Sequence, residues 1–189
     1  SSRRQPVLVN AGTSPATIDY AARHSDFIFI TSPAGADPAA ACEALPAHNR
    51  NIKSAARALG REIRTIINPH VICRPTEKEA RQAVQSILDN RDPVAAANFF
   101  TSIGGGGGGK SSWSATTQEM WTIGGNVHLV GTPEQIVEWF LRLRAAGCDG
   151  LQVNFYDFVP DLEFFGEAVL PLMIEAGLRN PAVASPKEL

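Results

Sequence analysis

Two stretches carry residue types and spacings suited to binding phosphate. The first is Asn10-Ala11-Gly12-Thr13-Ser14-Pro15, directly behind the apolar run Pro6-Val7-Leu8-Val9. A buried strand feeding a glycine turn, with Ser14 as cap and Pro15 as first helical residue, leaves the amide donors of a helix start without partners. The helix dipole is positive there and the Thr13 and Ser14 hydroxyls add donors, so the turn suits an anion. An ordinary capped helix has the same signature, so these residues alone leave both readings open. In the second stretch, Gly104, Gly109, Lys110 and Ser111 satisfy GxxxxGK[ST], the phosphate loop of nucleotide triphosphatases, with Phe99 to Ile103 as its candidate strand. Six consecutive glycines satisfy many spacings by composition, and Ser112-Trp113-Ser114 opens no apolar helix, which argues against that reading.

Other side chains have two readings each. Pro69 cannot donate to a strand ladder, so it marks a bulge or strand end and re-aims the chain near His70. Tyr156 stands between Phe155 and Phe158, where an aromatic cluster is by default packing. His24 falls in a helix's last turn and His128 in a short strand, both structural positions, and Asp157 and Asp161 read as turn and cap residues. Trp113 and Trp121 flank the glycine run, placed to close over a ring or to pack on the protein wall.

The elements that must position these groups alternate. A helix from about Pro15 to Arg23 precedes the strand Phe27-Ile28-Phe29-Ile30. A helical region starts at Asp37, is interrupted by Pro46, and resumes with Ile52, Ala55, Ala56 and Leu59 before Gly60. Ile63 to Cys73 reads as a strand. Thr76-Glu77-Lys78-Glu79 is a capping box ahead of Ala80, Ala83, Val84, Ile87 and Leu88 at helical spacing. A second box, Thr132 to Gln135, opens a helix with Ile136, Val137, Phe140, Leu141 and Leu143, closed by Gly147. Leu151 to Phe155 reads as a strand, and the last helix carries Leu162, Phe165, Val169, Leu172 and Met173 on one face, with Pro171 as a kink. Strands separated by helices imply a parallel sheet, either an open doubly wound one or a barrel.

Composition sets outer limits. With 189 residues, 44% hydrophobic and 19% charged, the chain is expected to form one domain spanning 1–189, with 90–127 as a mobile glycine-rich lid or insertion. A formal net charge of -2 and a pI near 6.1 give no basic field, so neither nucleic acid nor an anionic membrane surface is expected as a partner. Cys42, Cys73 and Cys148 are odd in number and widely spaced, which fits a reducing cytoplasm better than a disulfide framework, and no metal site is expected. No apolar run reaches membrane-span length, and Ser-Ser-Arg-Arg at the start is not followed by a signal-peptide core.

Four pieces together resemble the luciferase-like, two-component flavin-dependent monooxygenases, which include alkanesulfonate, dimethylsulfone and pyrimidine monooxygenases. They are Ala11-Gly12-Thr13-Ser14-Pro15 with Ala21 to Asp26, then His70 to Glu77, then Leu129 to Gln135, and Gly147-Cys148-Asp149-Gly150. Their order matches the C-terminal half of that family's (β/α)8 TIM barrel, so the resemblance implies an α/β half-barrel rather than an open sheet. It further implies that Gly12, Thr13 and Ser14, with Asn10 and Ala11 at the strand end, hold FMN. Active sites of this fold lie at the strands' carboxyl ends, where Asn10 would contact flavin or substrate. His70 falls where alkanesulfonate enzymes carry an active-site histidine, Asn68 where they carry an arginine, and Tyr156 near their active-site tyrosine. The missing arginine argues against a sulfonate substrate. Thr17 replaces a small glycine, which puts close helix approach in question.

The activity implied is oxygenation of a small organic substrate by O2 through a C4a-peroxyflavin, using reduced FMN from a separate flavin reductase. A deazaflavin-dependent oxidoreductase, a non-catalytic flavin-binding or assembly subunit, and a nucleotide triphosphatase are the alternatives. The likeness begins at about the fifth barrel strand. Half a barrel leaves open edges, so the chain is expected to be a fragment of a longer one or to join an N-terminal half-barrel partner or further copies of itself.

Overall fold

Short runs of β-branched and aromatic residues form the strands, and a capped helix follows most of them. The computed structural model describes residues 6–102 and 118–181. Strand β1 (Val9–Ala11) runs into α1 (Pro15–His24), where Ser14 is the N-cap and Pro15 the first helical residue. Strand β2 (Phe27–Ile30) is followed by α2 (Pro38–Arg57), whose cap Asp37 accepts from the Ala40 amide at 2.8 Å. Next come β3 (Arg64–Ile67), β4 (His70–Cys73) and α3 (Glu77–Asp89), then α4 (Pro93–Ser102) and α5 (Gln118–Ile123). The chain continues through β5 (His128–Gly131), α6 (Pro133–Ala145), β6 (Gly150–Leu151), β7 (Asn154–Phe155), α7 (Phe158–Phe164), a π-helical turn Phe165–Val169, and α8 (Leu170–Glu175).

All strand pairs are parallel. One ladder has the order β1-β2-β3-β6 and the other β5-β4-β7. The extended segment 64–73 is broken at Asn68-Pro69, which gives β3 and β4. The segment 150–155 breaks opposite it, with the Gln152 amide donating to Ile67 and the Asn154 amide to Pro69, each at 2.9 Å. The two ladders are therefore two floors of one curved sheet ordered β1, β2, β3/β4, β6/β7, with β5 added beside β4 on the upper floor. Ile28, Ile30 and Ile67 face a core shared with Ile18 and Ala22 of α1, Leu45 and Ile52 of α2, and Phe140 and Leu143 of α6. The opposite face carries Val9, Phe27, Phe29 and Ile66, none of them fully buried. Helices cover one face of the β1-β2-β3 ladder and leave its second face open, while α3 residues lie against Ile72 on the upper floor; this is half of an eight-stranded barrel rather than a doubly wound sheet.

Several expectations change in the structure. Pro46 does not interrupt α2, which runs continuously from Pro38 to Arg57. The ring removes one helical donor, but Leu45, Asn49 and Ile52 are all buried on one side and hold the axis through it. Phe99–Ser102 is helical, so the strand needed ahead of a nucleotide phosphate loop is absent there. Gly104 to Gly109, Lys110, Ser111 and Trp113 lie outside the described residues. Leu162 is exposed rather than on the core face. The π-helical turn after it adds a residue to one turn, which rotates Leu162 out of phase with Phe165 and Val169, and it lies just ahead of Pro171. The first capping box closes differently from the second. The Glu79 carboxylate accepts a hydrogen bond from the Thr76 hydroxyl, whereas Gln135 Oε1 accepts from the Thr132 amide at 2.9 Å.

A polar clamp closes the amino-terminal end of the sheet. The turn from α6 into β6 presents the Ala146 and Gly147 carbonyls, which accept from Asn49 Nδ2 at 2.9 Å and Lys53 Nζ at 2.8 Å. Asp149 pairs with Lys53 at 2.7 Å and accepts from the Thr65 amide at 2.9 Å, while its own amide donates to the Thr65 carbonyl. Polar groups at this end of a parallel barrel serve stability. Replacing Asp149 by Ala leaves the Thr65 amide without its acceptor and Lys53 without its ion partner, and should cost about 2 kcal/mol of unfolding free energy. Urea titration checks this, and a midpoint equal to the wild type would show that the clamp carries no stability.

Candidate functional site

The turn after β1 is shaped by a glycine that no other residue replaces easily. Gly12 has φ +126°, and a Cβ there would lie 3.0 Å from Thr17 Cγ2. Thr17 thus packs directly on the turn, and its departure from glycine is absorbed by the hydrogen at Gly12. The Gly12 amide donates to Phe29 O at 3.2 Å and fixes the turn to the carboxyl end of β2. Ser14 Oγ accepts from the Thr17 amide at 3.2 Å and shares a 2.8 Å hydrogen bond with Thr17 Oγ1. The Ser14 hydroxyl is therefore committed to capping. No hydrogen bond engages the amides of Thr13, Ser14 and Ala16 among the described residues, and they remain with the Thr13 hydroxyl as donors at a helix start. That is a donor set of the type that fits a phosphate.

The alternation along 64–73 decides which further residues share a face. Val71 and Cys73 join the helix-side core, so Asn68, His70 and Ile72 lie on the other face with Ile66. His70 is level with His128 on β5 and Asn154 on β7. Its ring lies 6.2 Å from that of Tyr156 and 6.4 Å from that of His128, both edge-on. The His70 residue is only 8% exposed, and its Nε2 is buried without a hydrogen-bond partner. Burial, reinforced by His128 and opposed by Asp161, pushes its pKa down to about 4, so the ring is neutral at pH 7. Burial also lowers the His128 pKa.

Of the residues singled out from sequence, the structure brings His70 and Tyr156 together, with half-buried Asn68 two residues earlier on the same strand face. Tyr156 is 52% exposed, as a group at the open rim. Asn10 pairs in register with Ile28, which puts it on the helix-side face, opposite to His70. Ala11 is level with Phe29 on the open face. The turn Gly12 to Ser14 lies at the carboxyl end of β1.

Sequence reasoning missed an ion pair that supports this arrangement. Asp161, expected to be a turn residue, is 5% exposed and pairs through Oδ1 with Arg74 at 2.7 Å, while Oδ2 accepts from the Asp157 amide at 3.2 Å. Arg74 also donates to Cys73 O, so the end of β4 is tied to the start of α7 and the Tyr156 turn is held beside His70. No local pattern announces a pair separated by 87 positions. A cleft of about 220 Å³ lies next to Tyr156, lined by Ile72, Ala83, Ile87, Arg74 and Asp161 among others. Among the described residues no group of three or more His, Cys, Asp or Glu side chains is placed to hold a metal ion, and no helix is long and apolar enough to cross a membrane.

Comparison with known proteins agrees with this architecture. The sequence profile of the luciferase-like monooxygenases matches residues 1–150. An FMNH2-dependent dimethylsulfone monooxygenase of Pseudomonas putida is 32% identical over 92% of this chain and 48% of its own length. The pyrimidine monooxygenase RutA of Acinetobacter baylyi is 28% identical over 88% of this chain and 45% of its own. The crystal structure of DmoA from Hyphomicrobium sulfonivorans superposes with a TM-score of 0.79 at 20% identity, over 98% of this chain and 45% of that one, which is a likeness of fold. The chain spans about half the length of the curated relatives it matches. With the half-barrel of parallel strands, the profile match over most of its length places this chain in the luciferase-like monooxygenase family.

Proposed function

We propose that this chain forms the phosphate-anchoring and proton-handling half of an FMNH2-dependent monooxygenase acting on a small organic substrate. The observation that carries the reading is that two features lie beyond the carboxyl ends of the strands in the β1-β2-β3 ladder: a turn with free amide donors after β1 and a buried histidine with an unpartnered nitrogen after β3. FMN is favoured over a deazaflavin because the 32% identical relative is an FMNH2-dependent enzyme. The Thr13, Ser14 and Ala16 amides and the Thr13 hydroxyl would hold the FMN phosphate. Reduced FMN, when bound, supplies oxygen activation and oxygen transfer. This chain's own residues bind, orient and move protons. His70, neutral at pH 7, accepts a proton or hydrogen bond at Nε2 rather than donating one from a charged ring. Tyr156 offers a phenolic hydroxyl beside it at the rim, and Asn68 an amide on the same face.

The partner implied is a second four-stranded unit. Val7, Leu8 and Val9 along the β1 edge are 52%, 48% and 50% exposed, and the open sheet face carries Phe27, Phe29 and Ile66. A parallel edge with such side chains needs covering, and a unit bringing the remaining barrel strands would cover both edges and the face together. A separate reductase would deliver the reduced flavin. Substituting Leu8 and Val9 by Lys should abolish association of the chain with itself or with such a unit in sedimentation experiments, and association unaffected by the two charges would remove β1 as the interface.

Two further outcomes test the site. Changing Thr13 and Ser14 together to Ala should weaken FMN binding by about 1 to 3 kcal/mol, the scale of hydrogen bonds to a charged group. Fluorescence titration measures it, and an unaltered affinity would remove the Thr13 hydroxyl and the Ser14 cap from the phosphate site. The second concerns pH. The folded His70 pKa lies below the ordinary 6.5, so the stability linked to its neutral form is complete above pH 6.5 and lost as pH falls toward about 4. The loss is on the order of 3 kcal/mol. His70→Leu should flatten this acid branch of the stability profile in part, since His48 and His128 shift in the same direction. Parallel profiles for variant and wild type would show that His70 is solvated.

A further inference from the structure

The turn between α5 and β5 packs against the histidine more closely than a connecting segment needs to. Gly124 has φ +123°, and a Cβ there would lie 2.9 Å from His70 Nδ1 and 3.3 Å from Cε1. At Gly125 a Cβ would overlap the Trp121 ring. Two successive glycines are thus held between two rings, and the backbone itself forms one wall of the imidazole. A Gly-Gly pair has high conformational freedom, so something must fix it. The turn's own bonds are Gly124 N to Trp121 O at 3.1 Å and Asn126 N to Gly124 O at 2.7 Å. A tie to the glycine pair from outside the turn comes from His128, whose Nε2 lies 2.6 Å from Gly124 O. A carbonyl only accepts, so Nε2 of His128 carries the proton. Two backbone bonds set the base of the same unit: His70 N to Val127 O at 2.8 Å and His128 N to Ala36 O at 2.9 Å.

We propose that His128 is a positioning residue that, through its hydrogen bond to the Gly124 carbonyl, presses the Gly124-Gly125 turn onto the Nδ1 edge of His70 and holds that ring in one orientation, with Nε2 left free for substrate. The role assigned to Nε2 rests on the proposed function; the orientation of the ring does not. His70 sits in a strand, where more than one χ1 rotamer is open to it, and its Nε2 has no partner to choose between them. Contact with the glycine wall supplies the choice. The wall stays in place only while its carbonyl is held.

The test needs no flavin, so it is independent of whether the chain binds FMN. In the full chain with 15N-labelled histidine, the wild type should show a nuclear Overhauser contact between the His70 Cε1 proton and the Gly124 α protons. His128→Phe keeps a ring but loses the donor, and should lose that contact and shift the His70 ring nitrogen signals, while amide signals away from the turn stay unchanged. His128→Gln presents an amide nitrogen to the same carbonyl and should restore both. Should His128→Phe fail to fold, Gly124→Ala puts a methyl group against Nδ1 and should displace the same ring signals. The proposal is overturned if His128→Phe keeps the contact and the ring shifts, if His128→Gln fails to restore them, or if Gly124→Ala leaves the His70 ring unmoved.

Discussion

The parity of one bent strand governs the rest of the molecule. Between Arg64 and Cys73 the side chains alternate without a slip across the Asn68-Pro69 break. Ile67, Val71 and Cys73 enter the helix-side core, while Ile66, Asn68, His70 and Ile72 point the other way. A single inserted residue would bury Asn68 among Leu45 and Phe140 and turn Val71 out. The neighbouring strand 150–155 repeats the break in step, and so preserves the parity and brings Tyr156 to His70. The proline therefore divides the sheet into two floors without changing which residues share a face.

The two ends of the sheet are built on different physics. At the amino end the donors and the carboxylate of the clamp find partners, Asp149 with Lys53 and the Thr65 amide, Asn49 Nδ2 and Lys53 with the carbonyls of the α6 turn, while Asn49 Oδ1 is buried without one. At the carboxyl end polar groups are left over. The amides after Gly12 have no acceptor within the described residues and lie at a partly exposed turn, and His70 Nε2 is buried without a partner, which costs free energy. Arg74, partly exposed, and Asp161, buried, tie the end of β4 to the start of α7, and Asp161 also holds the Asp157 amide.

Half-exposed Val7, Leu8 and Val9 fit the same picture. In an isolated sheet they expose apolar surface, which is unfavourable in water. The relatives named above are about twice as long as this chain, and in them the additional length is available to cover such an edge.

Much of this was legible in the sequence because it is written locally. Ser14, Thr76 and Thr132 announce helix starts through residues three positions on, Phe27 to Ile30 announces a strand by composition, and Pro69 announces a break by lacking a donor. The glycine turn at Gly12 was also within reach through its spacing, and a family resemblance singled out His70. What the sequence could not decide was anything set by distant packing. Pro46 sits inside an unbroken helix because Leu45 and Ile52 are anchored elsewhere. Asn10 faces the helices because of its register with Ile28. Asp161 became half of an ion pair and His128 a partner of Gly124, both by three-dimensional proximity. Local hydrogen-bonding and steric rules act over a few residues and so survive in one dimension; register, burial and ring-to-ring contact exist only after the strands have been placed side by side.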